Sequence, residues 1–261
     1  MVRLEAEIWG SLEDAVPAHM LLTIAKEGGV VLVMLDGGVP VGFAFGFPAL
    51  TADGQVKLAS HQAGVLPQYR AQGWGLRLKL AQREAALARG FRLMTWTFDP
   101  LQGLNARLNL HKLGAVCRTY IPNLYGDMTD ILNQGLPSDR FKVDWWLDSD
   151  HVAQRVAGNF ADAADLLQAA PLLNPSRPGP DGLRLPPDGV APAVTAPACR
   201  VEIPDSLEQL KLARPAAALD WRLQTRQLFT HLFAAGYTVI DLLRSPDRRS
   251  FYLLQNNWSP V

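Results

Sequence analysis

Hydrophobic and polar positions alternate with different periods along the chain, and each change of period marks an element. Val2 to Trp9 mixes Val, Leu, Ala and Ile with two glutamates at helical spacing. Pro17 to Lys26 reads as a second helix, with proline at its first position and Gly28-Gly29 to stop it. VVLVML (30–35) and VPVGFAFGFPAL (39–50) are β-branched and aromatic runs around Asp36-Gly37, which predicts a hairpin. A further strand follows from about Lys57 to Leu66.

The helical period then returns. Leu76, Leu80 and Leu87 share a face with alanines beside them, so a helix runs to Arg89, with Gly90 past its end and Phe91 packing back. Arg92 to Phe98 is a strand, ended by Asp99-Pro100. Residues 105–113 form a short helix closed by Gly114, and 115–121 and 139–147 are strands. Three antiparallel strands followed by helical crossovers imply an α/β fold with a mixed, partly parallel sheet covered by helices.

Beyond residue 149 the pattern changes. Residues 150–170 are Ala-rich and helical, and eight prolines between 171 and 197 make a linker or a wrapping segment. Ala198 to Pro204 is a strand. A helix interrupted near Pro215 follows, then a hairpin of YTVIDLLR and SFYLLQ. The expected organisation is a domain over 1–149, a helix and linker over 150–197, and a strand-helix-hairpin extension over 198–261 that packs on the sheet or on a second subunit.

Composition narrows the function classes. Lys plus Arg equals Asp plus Glu at 25 each over 261 residues, so no global charge draws the chain to nucleic acid or an anionic membrane. Two distant cysteines, Cys117 and Cys199, exclude a disulfide framework and a C-x-x-C zinc site. The opening MVRLEAEIWGS lacks an apolar signal core, and the longest apolar runs are too short to span a bilayer. The expectation is a cytoplasmic protein with no membrane, nucleic-acid or metal partner.

The candidate chemistry lies at Arg70-x-x-Gly73-x-Gly75, just before the third helix. Two glycines weaken a helix start unless the backbone there must approach something closely. The first-turn N–H groups lack intrahelical partners and carry the positive end of the dipole, so the pattern fits a phosphate or pyrophosphate site. Arg70 and Arg77 add charge. An ordinary loop with two glycines is the alternative reading of these six residues.

The longer stretch VLPQYRAQGWGLRLKLAQREAALARGF resembles the acyl-CoA-binding motif of the GNAT superfamily of N-acetyltransferases. NARLNLHKLGA (105–115) resembles that superfamily's second signature, a helix ending in Lys-Leu-Gly before a strand. The run from WTFDP to KVDWWL also looks like a bacterial subfamily of predicted acyltransferases, some of them suspected of N-acylating amino acids. The resemblance covers roughly residues 2–147. It implies transfer of an acetyl or succinyl-type group from an acyl-CoA to a small-molecule primary amine, such as an amino acid, in a monomer or a homodimer. It implies that the amides of Gln72, Gly73, Trp74, Gly75 and Leu76 hold the pyrophosphate, and that backbone groups of Val65 and Leu66 pair with the pantetheine arm as a neighbouring strand would.

Two departures stand out. The position where the superfamily often has a proton-donating Tyr is Leu110, which leaves Tyr120 or Tyr125 as donor, or none. The first helix also comes where a strand is usual, so the carboxy-terminal unit is expected to cover the exposed sheet edge, in cis or from a second subunit. A catalytically silent fold that binds acyl-CoA as a sensor or scaffold is the alternative that Leu110 favours.

An amine attacks only when unprotonated, so a general base is useful. His61 suits by pKa and, four residues before Val65, shares its face; a structural histidine is the alternative. Ser60 faces the other way unless a bulge rotates the strand. Asn105 and Asn109 share a helix face and are candidate cofactor contacts, Asn105 equally an N-cap. Asp99 reads as an ammonium ligand or a strand stop, and His111 as solvent-facing. Trp145 and Trp146 read as sheet packing, and Arg222 with Arg226 as a solvated helix face.

Overall fold

The computed structural model describes residues 1–10, 15–126, 135–160, 169–179, 181–189 and 194–260. Parts of the expected helix over 150–170 and of the proline segment lie outside the described residues. The chain packs as two compact units, residues 1–96 with 145–148, and 97–144 with 149–261. No helix among the described residues is long and apolar enough to cross a membrane.

The first unit holds helices α1 (Val2–Trp9) and α2 (Ala18–Lys26), strands β1 (Val30–Asp36), β2 (Val39–Leu50) and β3 (Val56–Val65), helix α3 (Trp74–Leu87) and most of β4 (Leu93–Phe98). β1, β2 and β3 pair antiparallel in sequence, as the hairpin signals predict. β3 then meets β4 in parallel, and the ladder is short: Leu58 pairs with Met94 and Ala59 with Thr95. Beside β4, the amide of Leu147 donates to Arg92 O at 2.9 Å, and Trp96 meets Trp145 edge to face. Phe43 and Phe45 of β2 form a core with Leu4, Leu21 and Leu66.

Gly46 is required by close approach. A Cβ there would stand 2.7 Å from Ala59 O and 3.0 Å from Ser60 Cα, both backbone. It sits where the β2–β3 register slips: Phe45 pairs with Gln62 and Gly46 with Ser60, which leaves His61 as the extra residue of a bulge.

α3 does not turn the leucine face inward. Its buried residues are Leu78, Lys79, Gln82 and Ala86, while Leu76, Leu80 and Leu87 are half-buried. Two polar side chains are tolerated inside because they bond each other: Lys79 Nζ donates to Gln82 Oε1 at 2.8 Å and to Ser60 Oγ at 3.2 Å.

The second unit holds helix α4 (Gly103–Ala106), which continues as a π-helical stretch Arg107–Lys112, then β5 (Val116–Ile121), most of β6 (Arg140–Trp146) and α5 (Asp150–Val156). There follow the two-residue strands β7 (Arg177–Pro178) and β8 (Arg184–Leu185), then β9 (Ala198–Ile203), helices α6 (Leu207–Ala213) and α7 (Pro215–Ala234), β10 (Tyr237–Arg244) and β11 (Ser250–Asn256). The strand order is β6-β5-β10-β11-β9. The carboxy-terminal strands therefore join β5, through a Val239–Cys117 pair. In the first unit, β1 pairs with β2 alone among the described residues.

Arg222 and Arg226 are not a solvated face. Arg222 is 1% exposed, and its Nη2 pairs with Asp99 Oδ2 at 2.6 Å. Arg226 makes two bonds to the Asp139 carboxylate, at 2.8 and 2.7 Å, and Tyr120 donates a third at 2.6 Å. α7 is buried on this side because it packs onto the aromatic cluster of Tyr120, Phe141, Phe229 and Tyr252. His111 is likewise buried, with Nδ1 3.0 Å from Asp241 Oδ1.

Candidate functional site

The glycine turn is built by two left-handed residues. Ala71 has φ 61° and Gly73 φ 84°, with Gln72 between them. Gly73 is the N-cap of the 14-residue α3, and the first intrahelical bond is from Arg77 N to Gly73 O at 3.1 Å. The amides of Trp74, Gly75 and Leu76 thus precede the helical ladder. No side chain caps them, and the first turn carries no acid. The dipole's positive end therefore meets no acid of the first turn.

The side chains around the turn leave it open. Gly73 is exposed, and a Cβ on it would meet nothing within 4 Å. Gln72 turns its amide back to Gln68 O at 2.8 Å. The Trp74 ring meets Tyr69 edge to face, and the Arg77 guanidinium lies 5.3 Å from its centroid. Arg70 donates from Nε to Val65 O at 3.3 Å, which ties the turn to the end of β3.

β3 supplies the second half of the site. Past Ala59 its ladder to β4 stops, while its pairing to β2 continues to Val65. Leu66 N donates to Val41 O at 2.9 Å, and Leu66 O accepts from Tyr69 N at 2.9 Å. Leu66 is therefore not available as a backbone contact, contrary to the expectation, because both its groups close the turn. Antiparallel alternation carries the consequence back along the strand. Residues 64 and 62 face β2 as Leu66 does, and Ala63 and Val65 aim their N–H and C=O groups the other way. Ala63 was missed in the sequence because which residues face outward depends on the register, and the register depends on the partner strand.

The bulge separates two neighbours. Ser60 is buried toward α3, where its Oγ donates to Gln82 Oε1 at 3.1 Å. His61 is exposed on the other face, its ring 5.4 Å from Phe45 and 6.0 Å from Phe47. Desolvation holds the imidazole below its ordinary 6.5, against a smaller upward pull from Glu5. Glu5, on α1, is fully buried; its Oε2 accepts from Val16 N at 2.7 Å, and Oε1 has no hydrogen-bond partner among the described residues. An acid at helical spacing between Val2 and Ile8, on the apolar stripe, was the signal for it.

The remaining candidates lie in the second unit. Asn105 is exposed inside α4, whose N-cap is Gln102, so it is not the cap. It accepts from Asn109 Nδ2 at 3.2 Å, and Asn109 is buried. Leu110 is fully buried. Tyr125 is 54% exposed, with its hydroxyl 3.2 Å from Thr97 Oγ1 and the Arg140 guanidinium 5.3 Å from its ring. Tyr120 is held by Asp139, and burial pushes its phenol far up, so it is no ready proton donor. Asp99 is closed by Arg222 and by the Leu101 amide at 2.8 Å, so it is not open to an acceptor's ammonium.

No protein-family model matches the chain, and no curated protein is significantly similar to it. Among solved structures, it is similar to a putative acetyltransferase from Salmonella typhimurium, yncA, with its cofactor acetyl-CoA: 19% identity, TM-score 0.44, 56% of this chain and 85% of that one. It is similar to the ribosomal-protein-S18-alanine N-acetyltransferase from Escherichia coli at 16% identity and TM-score 0.42, over 55% of this chain and 85% of that one. A NatC complex bound to Gag peptide and CoA matches at 13% identity and TM-score 0.43, over 55% of this chain and 88% of that one.

Proposed function

We propose that the first unit binds an acyl-CoA and that the protein is a GNAT-type N-acyltransferase acting on a small primary amine. The observation that carries this reading is the pairing of two unfilled backbone surfaces joined by Arg70: the uncapped start of α3 and the outward groups of β3 beyond Ala59. The residues fit the group. Open space at Gly73, no acid in the first turn and free amides at 74–76 suit a pyrophosphate, and Gln72 and Arg70 flank it. The amides of Ala63 and Val65 suit an extended amide-bearing arm, as an added strand does. When bound, the thioester supplies the activated acyl group.

The chain's own residues then do three things. β3 amides polarise the acyl carbonyl as donors fixed in place before the reaction. His61, neutral at pH 7 because partial desolvation keeps its pKa low, takes the proton that the amine gives up as its C–N bond forms and the C–S bond breaks. The buried Glu5 carboxylate favours the resulting imidazolium. Acetyl and succinyl groups are the expected cargo, with an amino acid as acceptor.

The test is a pH profile of CoA release. Wild-type kcat/KM should rise through a limb lying below pH 6.5, and His61→Ala should lose both the limb and about a hundredfold in rate at pH 7. Glu5→Gln should move the limb to still lower pH, because the upward pull on His61 is gone. An unchanged limb in His61→Ala removes His61 from the reaction. The buried Leu110, which cannot donate a proton, favours a second reading, a silent acyl-CoA sensor. That reading predicts acyl-CoA binding with no CoA release on any amine.

A further inference from the structure

The second unit contains a cavity of about 520 Å³ with four arginines in its wall: Arg107, Arg184, Arg244 and Arg248. That volume is in the range that takes small organic ligands. Two carboxylates, Asp205 and Asp247, share the wall, so the guanidiniums exceed the acids by two. Arg107 and Arg184 are half-buried and Arg244 and Arg248 exposed, so the excess lies around a half-open cavity that an anion can enter.

The individual arginines are held in ways that folding alone does not ask for. Arg107, on the π-helical stretch, is half-buried, and its guanidinium makes no hydrogen bond or ion pair among the described residues. Arg184 is fixed from behind: its Nε donates to Ser176 Oγ, its Nη2 donates to Ser176 O at 2.7 Å, and Glu202 Oε1 is 3.5 Å away. Arg244 donates from Nε to Arg248 O at 3.3 Å. Arg248 has φ 68°, a left-handed conformation that a turn would ordinarily give to glycine or asparagine. An arginine kept at a strained position on a cavity wall is more readily explained by what it binds than by what it stabilises. Leu104, which is exposed, and the half-buried Leu183 supply apolar surface in the same cavity.

We propose that this cavity binds a small organic molecule carrying a doubly charged oxyanion, a phosphate or a pair of carboxylates, with its apolar part against Leu104 and Leu183. Guanidinium donors match both oxyanions in forked geometry. The inference stands on the second unit alone and does not depend on the acyl-CoA reading.

The test is calorimetric titration of the full chain with phenyl phosphate, phthalate and phenol. One of the two anions is expected to bind with Kd below about 1 mM, and phenol not at all. Whichever anion binds more tightly tells phosphate from dicarboxylate. Arg107→Met and Arg248→Gly should each weaken that binding at least about tenfold. Arg248→Gly suits the left-handed turn, so its unliganded melting temperature should hold, which separates lost binding from lost folding. Gly73→Glu should leave the affinity unchanged. The proposal is overturned if neither anion binds at about 10 mM, if phenol binds as well as they do, or if both arginine variants bind as wild type does. It is equally overturned if Gly73→Glu is the variant that loses binding.

Discussion

Arg222→Met is expected to lower the stability of the protein by about 3–5 kcal/mol at pH 7. Arg222 and Asp99 are almost wholly out of water, with side-chain exposures of 1% and 9% and a 2.6 Å contact. Removing the guanidinium leaves Asp99 as a buried carboxylate with the Leu101 amide as its one remaining donor among the described residues. The loss is the cost of stranding that charge, not the net worth of the pair. One further measurement identifies the cause. The double variant Asp99→Leu, Arg222→Met should recover much of the deficit. A deficit undiminished in the double variant would point to lost packing of the long arginine stem instead.

Lys79→Met is expected to do the opposite. Burial pushes the Lys79 ammonium from 10.5 down to about 7, although Trp96 lies 3.9 Å from Nζ and favours the charge. The folded pKa lies below the unfolded one. As pH falls from about 10.5 toward 7 the unfolded chain takes up a proton that the folded chain refuses, so stability is lost on the way down and regained on the way up. Between those values each pH unit is worth about 1.4 kcal/mol. The refused proton amounts to about 4 kcal/mol at pH 7, and losing the bonds to Gln82 and Ser60 offsets about 1, so the methionine variant should be roughly 3 kcal/mol more stable at pH 7, its advantage narrowing by about 2 kcal/mol at pH 9. Urea titrations of both proteins at pH 7 and pH 9 decide it, and the subtraction removes the ionisation of other groups common to both. A methionine variant less stable than wild type at pH 7 would mean that the bonds from Lys79 to Ser60 and Gln82 outweigh its desolvation.

The order of elements was legible because it rests on local signals. Asp36-Gly37 made its hairpin, Gly90 ended α3 with φ 82°, and Pro215 separated α6 from α7. The glycine turn was legible for the same reason, since its chemistry sits in six consecutive residues. What was not legible depends on partners far along the chain. Arg222 looked like a surface residue because nothing near it announces Asp99, 123 positions away. The inward face of α3 was misread because Lys79 and Gln82 look polar until Ser60, on another strand, satisfies them. The bulge at His61 and the outward groups of Ala63 follow from the register against β2, where Gly46 permits the slip. Ala71, at φ 61°, gave no warning, since alanine carries no preference for that region.

The central claim is that the start of α3 holds the pyrophosphate of an acyl-CoA, and titration of acetyl-CoA into wild type, Gly73→Asn and Gly73→Glu tests it most directly. Asparagine tolerates the left-handed backbone that Gly73 adopts at φ 84°, so it controls for folding, while glutamate sets a negative charge beside the free amides. The account predicts saturable binding to wild type, retained in Gly73→Asn and weakened about a hundredfold in Gly73→Glu, the equivalent of about 2.7 kcal/mol. Acetyl-CoA binding that Gly73→Glu leaves intact, or no binding to wild type at all, would contradict it.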